Sequence, residues 1–131
     1  MRELYQNDTA PWVVFWLGDS SNNPVTGAVA ADFSSASVQR SNQANSSITL
    51  TVASSATDWG AGKLYELGGG YYQVGVATAL ISSYTGHASI IATHASATVY
   101  PIQTRIKAEE ADRSTLVSLD TFVNDDIDPA I

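Results

Sequence analysis

The sequence contains no cysteine, few basic residues and no long apolar run. Without cysteine, neither a disulfide framework nor a thiolate metal site can form. Six Lys and Arg against 13 Asp and Glu give a net charge of -7, which repels the phosphates of nucleic acids and an anionic membrane surface. No stretch approaches the roughly 18 apolar residues of a membrane span. We therefore expect neither a nucleic acid nor a membrane as partner.

The beginning of the sequence, MRELYQNDTAPW, lacks the basic and then apolar order of a signal peptide. We therefore expect synthesis in the cytosol. A length of 131 residues is enough for one hydrophobic core and too short for two. The short apolar runs alternate with Ser, Thr, Asn and Gly, a composition that favours strands and turns over helices.

The first half of the chain predicts several short strands. Residues 12–17 (WVVFWL) are a continuous run of β-formers and predict a buried strand, with Trp12, Phe15 and Trp16 in the core. Residues 28–33 and 37–40 predict weaker edge strands, because Ser, Ala and Gln bury little area. Residues 47–52 alternate strictly, which predicts a half-buried strand whose core face is formed by Ile48, Leu50 and Val52.

The second half continues the pattern. A short strand at 64–67 ends at Gly68-Gly69-Gly70, a bend that Cβ atoms would hinder. Residues 71–78 predict a strand with Tyr72, Val74 and Val76 in the core, and residues 87–93 alternate again. Residues 97–106 complete the series, and Pro101 indicates an edge strand or a bulge there.

Six to eight short strands separated by turns predict an all-β, antiparallel sandwich, because each strand has one face to bury against a second sheet. A closed barrel is the alternative. We divide the chain into a lead at residues 1–11, a sandwich domain at 12–106 and an acidic C-terminal arm at 107–131.

The arm differs in composition from the rest of the chain. It holds seven of the 13 carboxylates, and its residues 108–113 favour a helix. It is nonetheless too apolar for a freely solvated segment. We expect an extended or partly helical arm that docks on a neighbouring molecule, with a last strand or helix on its own domain as the alternative. The candidate assembly contacts are Leu116, Val117, Leu119, Phe122 and Val123.

The sequence shows no catalytic, cofactor or metal motif. His87 and His94 are seven residues apart, so on a strand they point to opposite faces and are poor partners for one metal ion. No zinc-protease, phosphate-loop or nucleophile motif occurs. Of the acids in the sandwich, no pair is singled out for glycoside hydrolysis. We therefore expect a protein that is not an enzyme and that uses no cofactor and no metal.

Loop aromatics offer an alternative function, because sugar rings stack on exposed aromatic faces. The candidate glycan contacts, all in or beside loops, are Trp59, Tyr65, Tyr71 and Tyr84. They indicate a carbohydrate-binding module that recognises a host surface glycan. Contact with another protein explains the same aromatic residues equally well.

Two stretches carry a resemblance to a known family. VVFWLGDSSNNPVTGAVAADF forms the opening strand and turn, and LYELGGGYYQVGVATALI is followed by GHASIIATHASA. Over residues 11–100, this order of strands and glycines resembles the immunoglobulin-like β-sandwich modules of tailed-bacteriophage virion proteins.

The resemblance implies a non-enzymatic structural protein located in the virion and made in the host cytoplasm. It would be a head decoration protein, a neck or tail component, or a fibre or baseplate module. The expected partners are other virion proteins and further copies of the chain, in a homo-oligomer that is a trimer or a higher ring.

Overall fold

A computed structural model describes residues 2–108 and shows β-strands in two sheets with almost no helix. The strands are β1 (Arg2–Tyr5), β2 (Trp12–Gly18), β3 (Phe33–Arg40), β4 (Ser46–Ser47), β5 (Thr51–Val52), β6 (Lys63–Gly68), β7 (Tyr71–Gly75), β8 (Gly86–His94), β9 (Thr98–Pro101) and β10 (Thr104–Lys107). Short 3-10 turns occur at Ala30–Asp32 and Thr78–Leu80. The predicted all-β sandwich of two sheets is confirmed in this part of the chain.

The first sheet has the strand order β1-β10-β8-β3-β4, and the second has the order β5-β6-β7-β2-β9. Strand pairs are antiparallel except for β1 with β10 and β5 with β6, which are parallel. The pairing of β1 means that residues 2–5, within the predicted lead, form an edge strand of the sandwich. Strand β10 ends at Lys107, where an ion pair with Glu3 ties it to β1.

The core lies between the two sheets. In β2, Val13, Phe15 and Leu17 are fully buried. The predicted core face of residues 71–78 is confirmed, because Tyr72, Val74 and Val76 are at most 1% exposed. The Phe15 ring stacks on the Tyr72 ring at 5.5 Å between centroids, and its edge contact with Phe33 joins the second sheet to the first.

Two strand predictions were wrong because the chain changes sheets. Residues 47–52 contribute β4 to the first sheet and β5 to the second. Of the predicted core face, Ile48 and Leu50 are partly buried against the core, as predicted, but Val52 is 53% exposed. Residues 97–106 likewise divide into β9 and β10 on different sheets, although Pro101 does lie on an edge strand as predicted. Residues 28–33 are mostly irregular. The strand predicted at 37–40 is part of β3, which lies between β8 and β4 instead of at an edge and buries Val38 completely.

Tyr72 fastens a loop to the core through its hydroxyl. The hydroxyl donates a hydrogen bond to the Val25 carbonyl (2.8 Å) and accepts one from the Ala28 N–H (3.1 Å). Burial raises the pKa of Tyr72 above its ordinary value, since the phenolate would lose its hydration, and the negative charges of Glu66 and Asp32 act in the same direction. The folded protein therefore favours the neutral phenol.

This raised pKa predicts a loss of stability in alkali. An unfolded tyrosine ionises near pH 10, where folded Tyr72 still keeps its proton. The contribution of the neutral Tyr72 phenol to the free energy of unfolding is thus complete below about pH 10. It is lost as the pH rises toward the folded pKa, and the free energy of unfolding then falls by up to about 1.4 kcal/mol per pH unit. We expect urea unfolding between pH 8 and pH 11 to show a weaker pH dependence for Tyr72→Phe than for the unaltered chain. Equal dependences would contradict this role of Tyr72.

The arm from residue 109 onward lies outside the described residues. The predicted assembly contacts Leu116, Val117, Leu119, Phe122 and Val123 therefore lie outside them as well.

Candidate binding face on the second sheet

The outer face of the second sheet, which points away from the core, carries a set of aromatic side chains. Strand alternation that buries Val13, Phe15 and Leu17 turns Trp12, Val14 and Trp16 outward. Register then places residues of β6, β7 and β9 on the same side. We call this surface the aromatic face and define it by Trp12, Trp16, Tyr65, Tyr71 and Tyr100.

Three of these residues form a row across neighbouring strands. Trp16 lies opposite Tyr71 of β7 on one side and opposite Tyr100 of β9 on the other. The Trp16 and Tyr100 rings are 5.5 Å apart at an angle of 46°. Tyr71 is 45% exposed and Tyr100 is 42% exposed. The row therefore presents aromatic surface to solvent at the strand spacing of about 4.8 Å.

The Trp16 indole is held flat against the sheet. Its Nε1–H donates a hydrogen bond to the Gly69 carbonyl at 2.9 Å. A Cβ atom on Gly18 would lie 2.3 Å from Trp16 Cζ3, and one on Gly70 would lie 2.8 Å from Trp16 Nε1. The ring therefore occupies space that exists only because both positions are glycine, and its orientation is fixed before any ligand arrives.

The residues at the centre of the aromatic face are shielded from solvent, although their side chains point away from the core. Val14 is 3% exposed and Gln73 is 7% exposed. These two residues lie opposite each other on β2 and β7, within the outward-facing set. Aromatic neighbours of this size bury enough apolar area to form a second, smaller layer of packing outside the sheet.

Trp59 lies at the other end of the same face. Its Nε1–H donates to the Pro11 carbonyl at 2.8 Å, and a Cβ atom on Gly75 would lie 3.2 Å from that nitrogen. Gly75 is paired with Trp12. The half-buried Trp59 indole is therefore positioned beside Trp12, so the loop between β5 and β6 contributes a further aromatic residue to the aromatic face.

Two aspartates shape the loops that border the face. Hydrogen bonds from the backbone N–H groups of Asn23 and Ser21 lower the pKa of Asp19 and fix the turn after β2. This turn brings Asn22 Oδ1 to 3.4 Å from the Tyr100 hydroxyl. Asp58, whose pKa is lowered chiefly by the Ser54 backbone N–H, closes the loop that carries Trp59.

The four predicted glycan contacts separate into two groups. Trp59, Tyr65 and Tyr71 lie on one side of the molecule, on or beside the aromatic face. Tyr84 does not. It is 8% exposed, its hydroxyl donates to the His87 carbonyl and accepts from the Ser41 N–H, and the Arg40 guanidinium lies 5.4 Å from its ring centre. Its ring faces are occupied by the protein itself, so it cannot stack on a sugar.

The sequence analysis missed the centre of the face. It placed Trp12 and Trp16 in the core together with Phe15, because all six residues from Trp12 to Leu17 are apolar and the run has no polar position to mark its outer side. Tyr100 was not singled out. The available signal was the even spacing of Trp12, Val14 and Trp16, which places three residues on one side of a strand.

Other candidate chemistry in residues 2–108 is sparse. That range contains no group of three or more His, Asp or Glu residues that could hold a metal ion. It also contains no helix long and apolar enough to cross a bilayer. His94 accepts backbone hydrogen bonds from Ser96 and Ala97 through Nδ1 and packs edge-on against Phe33, which indicates a structural role.

Comparison of the chain with protein-family models, with curated proteins and with solved structures finds no match.

Proposed function

We propose that this chain is a non-enzymatic structural component of a bacteriophage particle that binds other particle proteins and further copies of itself through the aromatic face. The observation that carries the proposal is the exposed row of Tyr71, Trp16 and Tyr100 across three strands. Tyr and Trp are enriched at the energetic centres of protein interfaces, where each buries a large area at little entropic cost. Synthesis in the host cytoplasm and final location in the virion belong to the same proposal.

The resemblance to phage modules supports the particle context. The second of the two stretches that carry it spans β6, the glycine turn, β7 and β8, and it begins with the hairpin that supplies Tyr65, Gly69 and Tyr71 to the aromatic face. The glycine turn also provides the carbonyl that orients Trp16. The sequence pattern on which the resemblance depends therefore helps to build the proposed contact surface.

We further propose that the sandwich is immunoglobulin-like. Strands β3, β8 and β10 lie side by side in the order expected of strands C, F and G, and β2, β7 and β6 lie in the order of strands B, E and D. Strand β9 departs from that scheme. It pairs with β2, at the position of strand A, but follows β8 in the chain.

Sedimentation of the double variant Tyr71→Ser, Tyr100→Ser tests the aromatic face. If the face is an interface, the unaltered chain should self-associate or bind candidate particle proteins. The variant should bind roughly 1,000-fold more weakly, because two central aromatic residues are removed and each contributes on the order of 2 kcal/mol. Val29→Ser, which removes a comparably exposed apolar side chain off this face, should have little effect. Identical behaviour of all three proteins would contradict the proposal.

Glycan recognition by the same face is the second candidate function. The spacing of the row favours this function, since an oligosaccharide running across the strands would meet one ring per strand. The Tyr100 hydroxyl and the neighbouring Asn22 side chain add polar groups that could hydrogen-bond to a sugar. A glycan array followed by titration separates the two functions. Saturable sugar binding that is lost on Trp59→Ala or Tyr71→Ala would support glycan recognition, whereas binding of particle proteins without sugar binding would support the structural function.

A further inference from the structure

Gln73 places an unpaired amide at the centre of the aromatic face. It lies on β7, between Val14 of β2 on one side and Tyr65 of β6 on the other. The side chain points away from the core and is 7% exposed. Within residues 2–108 no group forms a hydrogen bond with its side-chain amide, and both amide atoms keep a small contact with solvent.

This amide constrains what can cover the face. Removing an amide from water is unfavourable unless a hydrogen bond replaces the lost hydration. Gln73 keeps its remaining solvent contact only while the aromatic face is uncovered. A partner that covers the surrounding rings covers this amide as well. Favourable binding therefore requires a partner that brings a hydrogen-bond donor and an acceptor to the centre of the face.

A second copy of the chain carries a group that fits this requirement. A carboxamide presents N–H donors and a carbonyl acceptor in one plane, so two carboxamides related by a twofold axis can form two reciprocal hydrogen bonds. In a twofold interface, a residue on the axis contacts its own counterpart. The central position of Gln73 on the aromatic face is therefore the position that a self-pairing amide needs.

The aromatic residues are distributed on both sides of Gln73. Trp12 and Trp59 lie toward one end of the face. Trp16 and Tyr71 lie toward the other end. A twofold axis beside Gln73 brings each end of one copy over the opposite end of the second copy, so rings of one copy meet rings of the other.

The charge of the face also suits a contact between identical copies. Along the described strands β2, β6, β7 and β9, the outward-facing positions are uncharged except for Lys63, and Lys63 pairs with Asp58 at 3.4 Å. Like charges therefore do not meet across the interface. Four strands at a spacing of about 4.8 Å make the face roughly 20 Å wide, which is small for a stable interface. We expect self-association in the micromolar range or weaker.

We propose that two copies of the chain pair through the aromatic face about a twofold axis, with the two Gln73 side-chain amides hydrogen-bonded to each other. The proposal rests on the proposed function, because it specifies the self-contact made by the same face. A twofold contact pairs copies and does not by itself close the trimer or ring that the resemblance implies.

Sedimentation equilibrium of two opposite charge variants of the full chain tests this pairing. Gln73→Glu and Gln73→Lys should each self-associate at least about 10-fold more weakly than the unaltered chain, because like charges meet at the axis. An equimolar mixture of the two should recover most of the lost affinity, because a carboxylate then meets an ammonium group. The same two substitutions at Gln39, an exposed residue on the outer face of the first sheet, should leave self-association unchanged.

Gln73→Met keeps the test decisive if a charged side chain at this shielded position prevents folding. We expect no loss of stability in urea, because the amide has no partner within a single copy. Mixed pairs of the unaltered chain and Gln73→Met should form about 10-fold more weakly than unaltered pairs, because one amide is then covered without a partner. Sedimentation of a fluorescently labelled trace of the unaltered chain in excess variant measures the mixed pair.

Three results would overturn the pairing. The first is an unaltered chain that remains a single copy up to about 1 mM. The second is a mixture of folded charge variants that associates no better than either variant alone. The third is a mixed pair with Gln73→Met that forms as readily as the unaltered pair. Binding of candidate particle proteins or of glycans, measured on the same samples, then decides separately whether the aromatic face has the function proposed above.

Discussion

Replacing Phe15 by alanine is expected to lower the free energy of unfolding by about 3–5 kcal/mol, a large part of the stability of a domain of this size. Phe15 is fully buried, stacks on Tyr72 and contacts Phe33 edge-on, so it joins the two sheets at the middle of the core. Truncation would remove both aromatic contacts and leave a cavity that neighbouring rings cannot easily fill. Urea denaturation monitored by tryptophan fluorescence measures the effect.

Val52→Ala is the matched control for this experiment. Its side chain is also apolar, and the sequence pattern assigned it to the core, but it is 53% exposed on a two-residue edge strand. We expect a change within about 0.5 kcal/mol. A Phe15→Ala effect no larger than that of Val52→Ala would mean that the two sheets are not joined through this ring cluster.

Local pattern predicted the strands that stay in one sheet and failed for those that change sheets. Tyr72, Val74 and Val76 alternate within one strand, and the glycine turn before them marks where the hairpin reverses, so their core face could be read directly. Residues 47–52 alternate just as regularly. Their alternation does not record that the chain crosses from the first sheet to the second between Ser47 and Thr51, after which Val52 is exposed although Ile48 and Leu50 pack against the core.

The candidate site was predictable only in part, for a related reason. Trp59, Tyr65 and Tyr71 were recognised because they lie in or beside loops. Trp16 was not, because its exposure depends on Gly18 and Gly70, whose missing side chains provide the space for the indole on the outer surface. Tyr84 also lies in a loop, yet its two hydrogen bonds and its contact with Arg40 draw it inward. Sequence position alone does not distinguish these cases.

The two outer faces of the sandwich differ in chemistry. The first sheet presents small polar side chains such as Ser35 and Thr93, which hydrogen-bond to each other at 3.2 Å. The second sheet presents the aromatic face. Desolvating serine and threonine hydroxyls gains little, whereas desolvating fixed aromatic rings is favourable. Contacts with large partners are therefore expected on the second sheet.

Gly62→Ala is expected to be strongly destabilising, by about 2–5 kcal/mol, because two costs combine at this position. Gly62 has a φ of +85°, where a non-glycine residue is strained by about 1–2 kcal/mol. A Cβ atom there would also lie 2.0 Å from the Thr49 carbonyl oxygen, so the backbone between the sheets would have to move, at a further cost of about 1–3 kcal/mol. Thermal and urea unfolding of the variant measure the sum.

Gly68→Ala separates the two costs. Gly68 has a φ of +99°, yet a Cβ atom there would meet nothing within 4 Å. Only the conformational strain applies, so we expect a loss of about 1–2 kcal/mol. The difference between the two variants then measures how rigidly the crossing at Thr49 is held. If Gly62→Ala costs no more than Gly68→Ala, the crossing segment yields to the added methyl group, and the contact between Thr49 and Gly62 does not fix how the chain passes from one sheet to the other.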